Sequence, residues 1–266
     1  MEIKEYVALR KEQIKEEING LTLKPSFVIM QVNDDPASNA YIKGKIKDAN
    51  EVGINVELKK YPESISEEEL LKEIEIVNKN PEAHGLIVQM PLPKHINEED
   101  VKLAVDPKKD IDGFHPLSKL VPCTPKGIID YLKAANTEFV GKNALVIGRS
   151  NIVGKPIAKL LLNENCNVTI VHSKTKREDM ERYVKNADII VIAIGRAGFL
   201  DNSFEYKKDA TIVDVGINRT EEGLKGDAVR DLPVKLQTPV PGGVGLLTRL
   251  SLLVNLMEAY RNEVTD

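Results

Sequence analysis

Helical and strand-like stretches alternate along this chain almost without interruption, and no other feature of the sequence constrains its fold as strongly. Strands separated by helix-length crossovers pair in parallel, and a parallel sheet needs helices over its faces. Residues 5–19 predict an amphipathic helix and SFVIMQV (26–32) a buried strand. The segment after DDPAS predicts a second helix, with Ser38 as its N-cap and Gly53 as its stop. Strand 54–61 follows, then helix 67–79 opened by a Ser66/Glu69 capping box, strand 85–90 and a short helix near 97–104. Thr124 and Pro125 form an N-cap and first-turn pair for the next helix. A second set comprises strand 143–147, helix 152–164, strand 167–172, helix 177–185, strands 188–193 and 211–215, and a long helix over 246–261. The break between the sets lies near 117–123, which divides the chain into domains 1–120 and 121–245. Segment 246–266 follows the second sheet and is expected to fold back onto the first domain and complete it.

At 266 residues the chain has room for two ordinary domains, each with its own core. With 42% hydrophobic residues, 29% charged residues and a net charge of −4, it has a globular profile without the basic footprint of a nucleic-acid binder. The opening MEIKEYVALRKEQIKEE is amphipathic and acid-rich, unlike a secretory or mitochondrial leader. No apolar run reaches the ~18 residues of a spanning helix. Cys123 and Cys166 have no metal-ligand spacing, nor do His84, His95, His115 and His172. The expectation is a cytoplasmic protein with no structural metal and no nucleic-acid or membrane partner.

ALVIGRSNIVGKPIAKLL, starting at Ala144, is a strand that turns on Gly148 and opens into a helix, as phosphate-binding turns do. Gly148 and Gly154 fill the outer roles of the dinucleotide fingerprint, and Arg149 and Ser150 stand where its middle glycine is absent. A plain strand-to-helix bend would also explain the turn alone. The following strand, NVTIVHSKTKR, ends on Ser173 with Lys174, Lys176 and Arg177 behind it, where an NAD-binding fold places a carboxylate. A hydroxyl and cations accept a 2′-phosphate that a carboxylate would repel, so the reading is NADP. A solvated basic loop is the competing explanation for the lysines. Gly195, the Gly216–Ile217 pair and TPVPGGVG (238–245) follow further strands, and four such loops at one sheet edge make a cofactor cleft.

In the first domain, Tyr41 and Lys45 share a helix face at i and i+4. Gln89 sits in the apolar stretch GLIVQMPLP, where an amide needs partners or a ligand. KDIDGFHP places Asp110 and Asp112 in a glycine loop. Each has an ordinary explanation: a surface pair, a strand-end amide, a turn-stabilising aspartate. Together they outline a polar pocket with an aromatic platform, an amine, an amide and a carboxylate.

These pieces, DDPASNAYIKGK, GLIVQMPLP, DPKKDIDGFHP, PCTPKGI, VIGRSNIVGKP, VHSKT and TPVPGGVG, resemble the bifunctional methylenetetrahydrofolate dehydrogenase/methenyltetrahydrofolate cyclohydrolase family, in the family's order and over nearly the whole chain. The resemblance implies a folate-facing catalytic α/β domain joined across a cleft to a Rossmann-type NADP-binding domain, in a homodimer. It implies oxidation of 5,10-methylenetetrahydrofolate with NADP⁺, then hydrolysis of the methenyl product to 10-formyltetrahydrofolate, a one-carbon supply for purine biosynthesis. Lys45 matches the catalytic lysine, Tyr41 its partner aromatic, Gln89 the glutamine bonded to that lysine, and Asp112 the aspartate that holds the pterin. Gly148, Arg149, Ser150, Ser173, Gly195, Gly216 and Ile217 fall to the cofactor, and Gly243 to the nicotinamide side of the substrate cleft.

The chain departs from the family pattern in three places. Five residues, LSKLV, separate Pro116 from Pro122; Leu246 and Leu247 stand where proline and methionine are usual; and GDAVRD lacks the usual VDF. A dehydrogenase that has lost the hydrolytic step, a non-catalytic NADP-binding module and a dehydrogenase of a shikimate-like acid are the alternatives.

Overall fold

The structure is a computed structural model and describes residues 1–265, so Asp266, the last residue of segment 246–266, lies outside the described residues. The chain forms two compact units: Ala8–Cys123 with Arg249–Asp266, and Met1–Val7 with Thr124–Thr248. The second thus takes in the first seven residues, which the sequence boundaries assign to the other domain.

The first unit is built on a three-stranded parallel sheet, β2(Asn55–Lys60)–β1(Ser26–Gln31)–β3(Gly85–Val88). β1 and β3 are almost wholly buried, which explains why both read as continuous apolar runs. Four helices belong to this unit: most of α1(Ile3–Asn19), then α2(Pro36–Val52), α3(Glu67–Lys79) and α4(Glu98–Ala104). α3 opens with the expected capping box, and α2 ends at Gly53 with φ 87. The N-cap of α2 is Asp35, not Ser38: the Asp35 carboxylate accepts the Ser38 N–H at 2.8 Å, and Pro36 fixes the first turn. One face of the sheet packs Val28, Met30, Leu86 and Val88 against Leu70, Ile74 and Val101.

The second unit carries α5(Cys123–Ala134), β4(Asn143–Ile147), α6(Gly154–Asn163), β5(Asn167–Val171), α7(Arg177–Asn186), β6(Ile189–Ile192), β7(Thr211–Asp214), β8(Asn218–Thr220), β9(Gly223–Lys225) and β10(Leu236–Gln237). α5 starts at Cys123, so Thr124 stands inside its first turn rather than at the cap, and its hydroxyl meets that of Thr248 at 2.9 Å. The five-stranded sheet is parallel throughout, in the order β10-β7-β6-β4-β5, and β8 and β9 form a separate antiparallel hairpin. From β4 the chain goes to β5 on one side and returns to β6 on the other. This reversal makes the carboxyl ends of β4 and β6 the ligand-binding edge of a doubly wound sheet.

The last helix, α8(Val244–Thr265), contributes its residues from Arg249 onward to the first unit. Asn255 is fully buried and donates from Nδ2 to the carbonyls of Ile111 and Val121, both at 2.9 Å. Tyr260 donates from its hydroxyl to the Leu23 carbonyl at 2.8 Å. These bonds, and the contact of Leu256 with Gly85, fix α8 on the first unit as expected from the chain order.

Candidate functional site

Two groups of site residues take shape, one in each unit. In the first unit, α2 presents Tyr41 and Lys45 one turn apart. Lys45 is buried, and its Nζ lies 3.2 Å from Gln89 Oε1 and 4.0 Å from Asp112 Oδ1. Gln89 stands one residue past β3, where its N–H still bonds the Met30 carbonyl at 2.9 Å. Its Nε2 donates to the Met90 carbonyl at 2.8 Å, which turns Oε1 toward the lysine. Asp112 follows from the loop that Asp110 shapes: the Asp110 carboxylate accepts the N–H groups of Gly113 at 3.1 Å and His115 at 2.7 Å. The structure therefore brings Lys45, Gln89 and Asp112 together, and Tyr41 stands one turn before Lys45 on α2 with its side chain exposed. An amine held between an amide oxygen and a carboxylate can hold or transfer a proton at Nζ.

Asp110 is buried, and its carboxyl is pushed up to about 6, chiefly by desolvation, with the neighbouring Asp112 charge adding to the effect. Its resonance should therefore titrate near pH 6 in carbon-detected NMR, and Asp112→Asn should move that midpoint down. A raised carboxyl pKa means that the folded chain binds the proton more tightly than the unfolded one. This group thus costs most stability above about pH 6, and the cost fades as the pH falls toward the ordinary ~4. A midpoint below 5 would contradict the burial argument.

In the second unit, the carboxyl ends of β4, β5 and β6 surround a groove of about 670 Å³ lined by Ile147, Ser173, Arg177, Ile194, Arg196 and Asp201, among others. Gly148, with φ 125, makes the tight turn after β4, and a Cβ there would lie 2.5 Å from the Ala193 carbonyl oxygen. The Ser150 hydroxyl accepts the N–H groups of Val153 and Gly154, each at 3.2 Å, and so ties the turn to the first residue of α6. Ser173 faces the groove with Arg177 and Arg196, whereas Gly148, Arg149, Ser150, Gly195 and the two lysines 174 and 176 are not part of its wall. Gly216, Ile217 and Gly243 line a smaller cavity formed with Pro239–Gly245.

Sequence reasoning missed the groups that hold these loops. Asp214, at the end of β7, accepts the N–H groups of Gly216 and Asp227 at 2.9 Å and of Ala228 at 2.8 Å. Asp227, fully buried, accepts the N–H groups of Ile194 (2.7 Å), Gly195 (3.0 Å) and Arg196 (2.7 Å), and Asn218 Nδ2 at 2.9 Å. A side chain on Gly216 would collide with the Asp227 carboxylate, and one on Gly226 with that of Asp214. The bare backbone of Gly216 thus leaves room for a carboxylate of the protein itself. Burial raises the Asp214 carboxyl above its ordinary range. The only sequence signal for either residue was an aspartate closing an apolar strand and a GD pair in a loop.

Among the described residues no group of three or more His, Cys, Asp or Glu is arranged to hold a metal ion, and no helix is long and apolar enough to cross a membrane. Residues 1–112 match the family model for the catalytic domain of tetrahydrofolate dehydrogenase/cyclohydrolase, and residues 122–264 that of its NAD(P)-binding domain. The bifunctional protein FolD of Enterococcus faecalis is 45% identical, with 94% of each chain covered. The crystal structure of the bifunctional methylenetetrahydrofolate dehydrogenase/cyclohydrolase of Campylobacter jejuni superposes with a TM-score of 0.93 at 38% identity, covering 97% of both chains. The Trypanosoma brucei dehydrogenase-cyclohydrolase, solved with NADP cofactor and an inhibitor, gives a TM-score of 0.93 at 28% identity over 100% of this chain and 98% of that one. This chain belongs to the tetrahydrofolate dehydrogenase/cyclohydrolase family.

Proposed function

We propose that the protein oxidises 5,10-methylenetetrahydrofolate to the 5,10-methenyl cation with NADP⁺ and then hydrolyses that cation to 10-formyltetrahydrofolate. The observation that carries the reading is the Lys45 amine, buried and held by Gln89 Oε1 at 3.2 Å with Asp112 at 4.0 Å. In this reading Asp112 accepts the paired N–H donors of the pterin edge and so orients the one-carbon bridge. Tyr41 stacks on the folate and sheds water from the reacting carbon. Nζ of Lys45, beside the methenyl carbon, is the general base for the attacking water. Water adds to the methenyl carbon as Lys45 takes one proton, giving a neutral carbinolamine. The bond from that carbon to N5 then breaks, N5 gains a proton, and the carbinol hydroxyl loses its own to become the formyl carbonyl on N10. The proton held by Lys45 passes to solvent. Gln89 keeps the amine in place. The catalytic and folate-binding part is read as 1–120 completed by 246–266, and the cofactor part as 121–245.

The residues of the second unit fit NADP: a groove at the switch point of the sheet has Ser173, Arg177 and Arg196 in its wall and no carboxylate at the end of β5. Asp201, also in that wall, is bonded to Ser203. When bound, NADP⁺ accepts the hydride. Ser173 and Arg149 are read as 2′-phosphate contacts. The backbone of 148–150, together with Gly195, Gly216 and Ile217, approaches the rest of the cofactor, and Gly243 the nicotinamide side of the substrate. Placing a carboxylate against the 2′-phosphate costs ~1–4 kcal/mol, so Ser173→Asp should raise the KM for NADP at least about fivefold. Oxidation with NAD, which lacks that phosphate, should be spared, and an unchanged KM for NADP would move the phosphate elsewhere.

The reading extends to a cytoplasmic homodimer that supplies formyl groups for purine biosynthesis. It is supported by the family pattern, and sedimentation velocity tests the assembly. The function itself is tested by supplying methylenetetrahydrofolate with each cofactor and, separately, methenyltetrahydrofolate with none. Turnover in the first assay alone would leave a dehydrogenase, and turnover in neither would remove the assignment.

A further inference from the structure

Tyr41, Gly44, Lys45 and Asp48 follow one another along α2 at spacings that keep them on one side of the helix. Arg249, from α8, crosses this face at Gly44. A Cβ on Gly44 would stand 2.6 Å from Arg249 Nη1 and 3.2 Å from Cδ and Cζ, so the guanidinium lies directly on the helix backbone. Arg249 Nε donates to Asp48 Oδ2 at 2.6 Å, and the other Asp48 oxygen takes Lys11 Nζ at 2.6 Å. Lys11 also reaches Glu51 at 2.9 Å, so each ionic group of this cluster is matched. What is unmatched is the far edge of the guanidinium: among the described residues neither Nη1 nor Nη2 has an acceptor. Asp48 is buried, whereas the Arg249 side chain is 27% exposed, so solvent and ligands reach part of it. The Arg249 charge is also felt at the Tyr41 hydroxyl, where it opposes the burial that raises the pKa of that phenol.

We propose that Arg249 is a substrate-specificity residue that binds a carboxylate of the glutamyl tail of the folate. The inference rests on the folate reading above. A reduced folate has a pterin end, for which Asp112 and Lys45 supply partners, an aromatic middle, for which Tyr41 supplies a platform, and an anionic glutamyl end. The two Nη groups of an arginine whose Nε is already anchored form a fixed fork that suits a carboxylate. Asp48 and Gly44 position it: the carboxylate sets its direction, and the missing side chain lets it lie down on α2. Sequence reading passed over this residue because its partners lie about 200 positions earlier in the chain.

Cofactor-free hydrolysis isolates this contact from anything NADP does. The wild-type protein is assayed with methenyltetrahydrofolate and with methenyltetrahydropteroate, which lacks the glutamate. The expected result is a KM about tenfold higher for the tail-less compound, a difference that shrinks as salt is raised. Arg249→Met should raise the KM for the folate by about the same factor, leave that for the pteroate where it was, and act on KM rather than kcat. Arg249→Lys should recover part of the loss. Equal wild-type KM values for the two compounds overturn the proposal even if no variant folds. So does an Arg249→Met variant that loses equally with both compounds, which is the mark of a packing role, or with neither. Wild-type turnover of neither compound removes the folate reading itself, and this one with it.

Discussion

Lys45→Met is expected to lower hydrolysis of methenyltetrahydrofolate by about 10²–10⁴-fold, the range that a positioned general base contributes. The side chain is long and mostly buried, and methionine replaces it at similar length, so the fold should be retained. What is lost is the nitrogen between Gln89 Oε1 and Asp112. Lys45 belongs to the first unit and the groove holding Ser173 to the second, so NADP titrated against the variant should bind with wild-type affinity. Lys45→Arg separates base chemistry from charge: a guanidinium remains positive but cannot be deprotonated in a protein. It should therefore fail like methionine. Hydrolysis by either variant within about threefold of wild type would take the lysine out of the mechanism.

What could be read from the sequence is what local physics decides. β1, β3, β4 and β6 are buried on both faces and show as apolar runs, and the α3 capping box is complete within four residues. Where two local rules compete, reading fails: DDPAS offers Asp35 and Ser38 as caps, and Pro36 decides for the first. β8, β9 and β10, of two or three residues each and largely without burial, carry no period to detect. Within the site, the Tyr41–Lys45 pair was legible because four residues is one helical turn. Gln89 was legible because it closes an apolar run. That Lys45 meets Gln89 and Asp112 depends on sheet order: the residue types only suggested a shared pocket, and the Lys45–Gln89 bond came through resemblance. Arg249 and the two buried aspartates depend on segments meeting across the fold. Their own neighbours in sequence say nothing of it.

The Asp214–Asp227 pair carries the other large expected effect. Asp227→Ala strips the acceptor from three successive backbone N–H groups, those of Ile194, Gly195 and Arg196, and from Asn218. A buried donor left without a partner costs ~1–3 kcal/mol, and water can reach part of this loop, so the sum should be about 3 kcal/mol. For a chain of this size that corresponds to a fall in Tm of roughly 6–12 °C. The functional consequence should be selective. The released loop supplies Ile194 and Arg196 to the groove beside Ser173, so the KM for NADP should rise and dehydrogenation should suffer. Cofactor-free hydrolysis uses Lys45, Gln89 and Asp112 of the other unit, and below the new melting point it should stay near wild type. Asp227→Asn, which keeps one acceptor oxygen, should fall between the two. A variant with Tm within about 2 °C of wild type and the same KM for NADP would show that the carboxylate does not hold this loop.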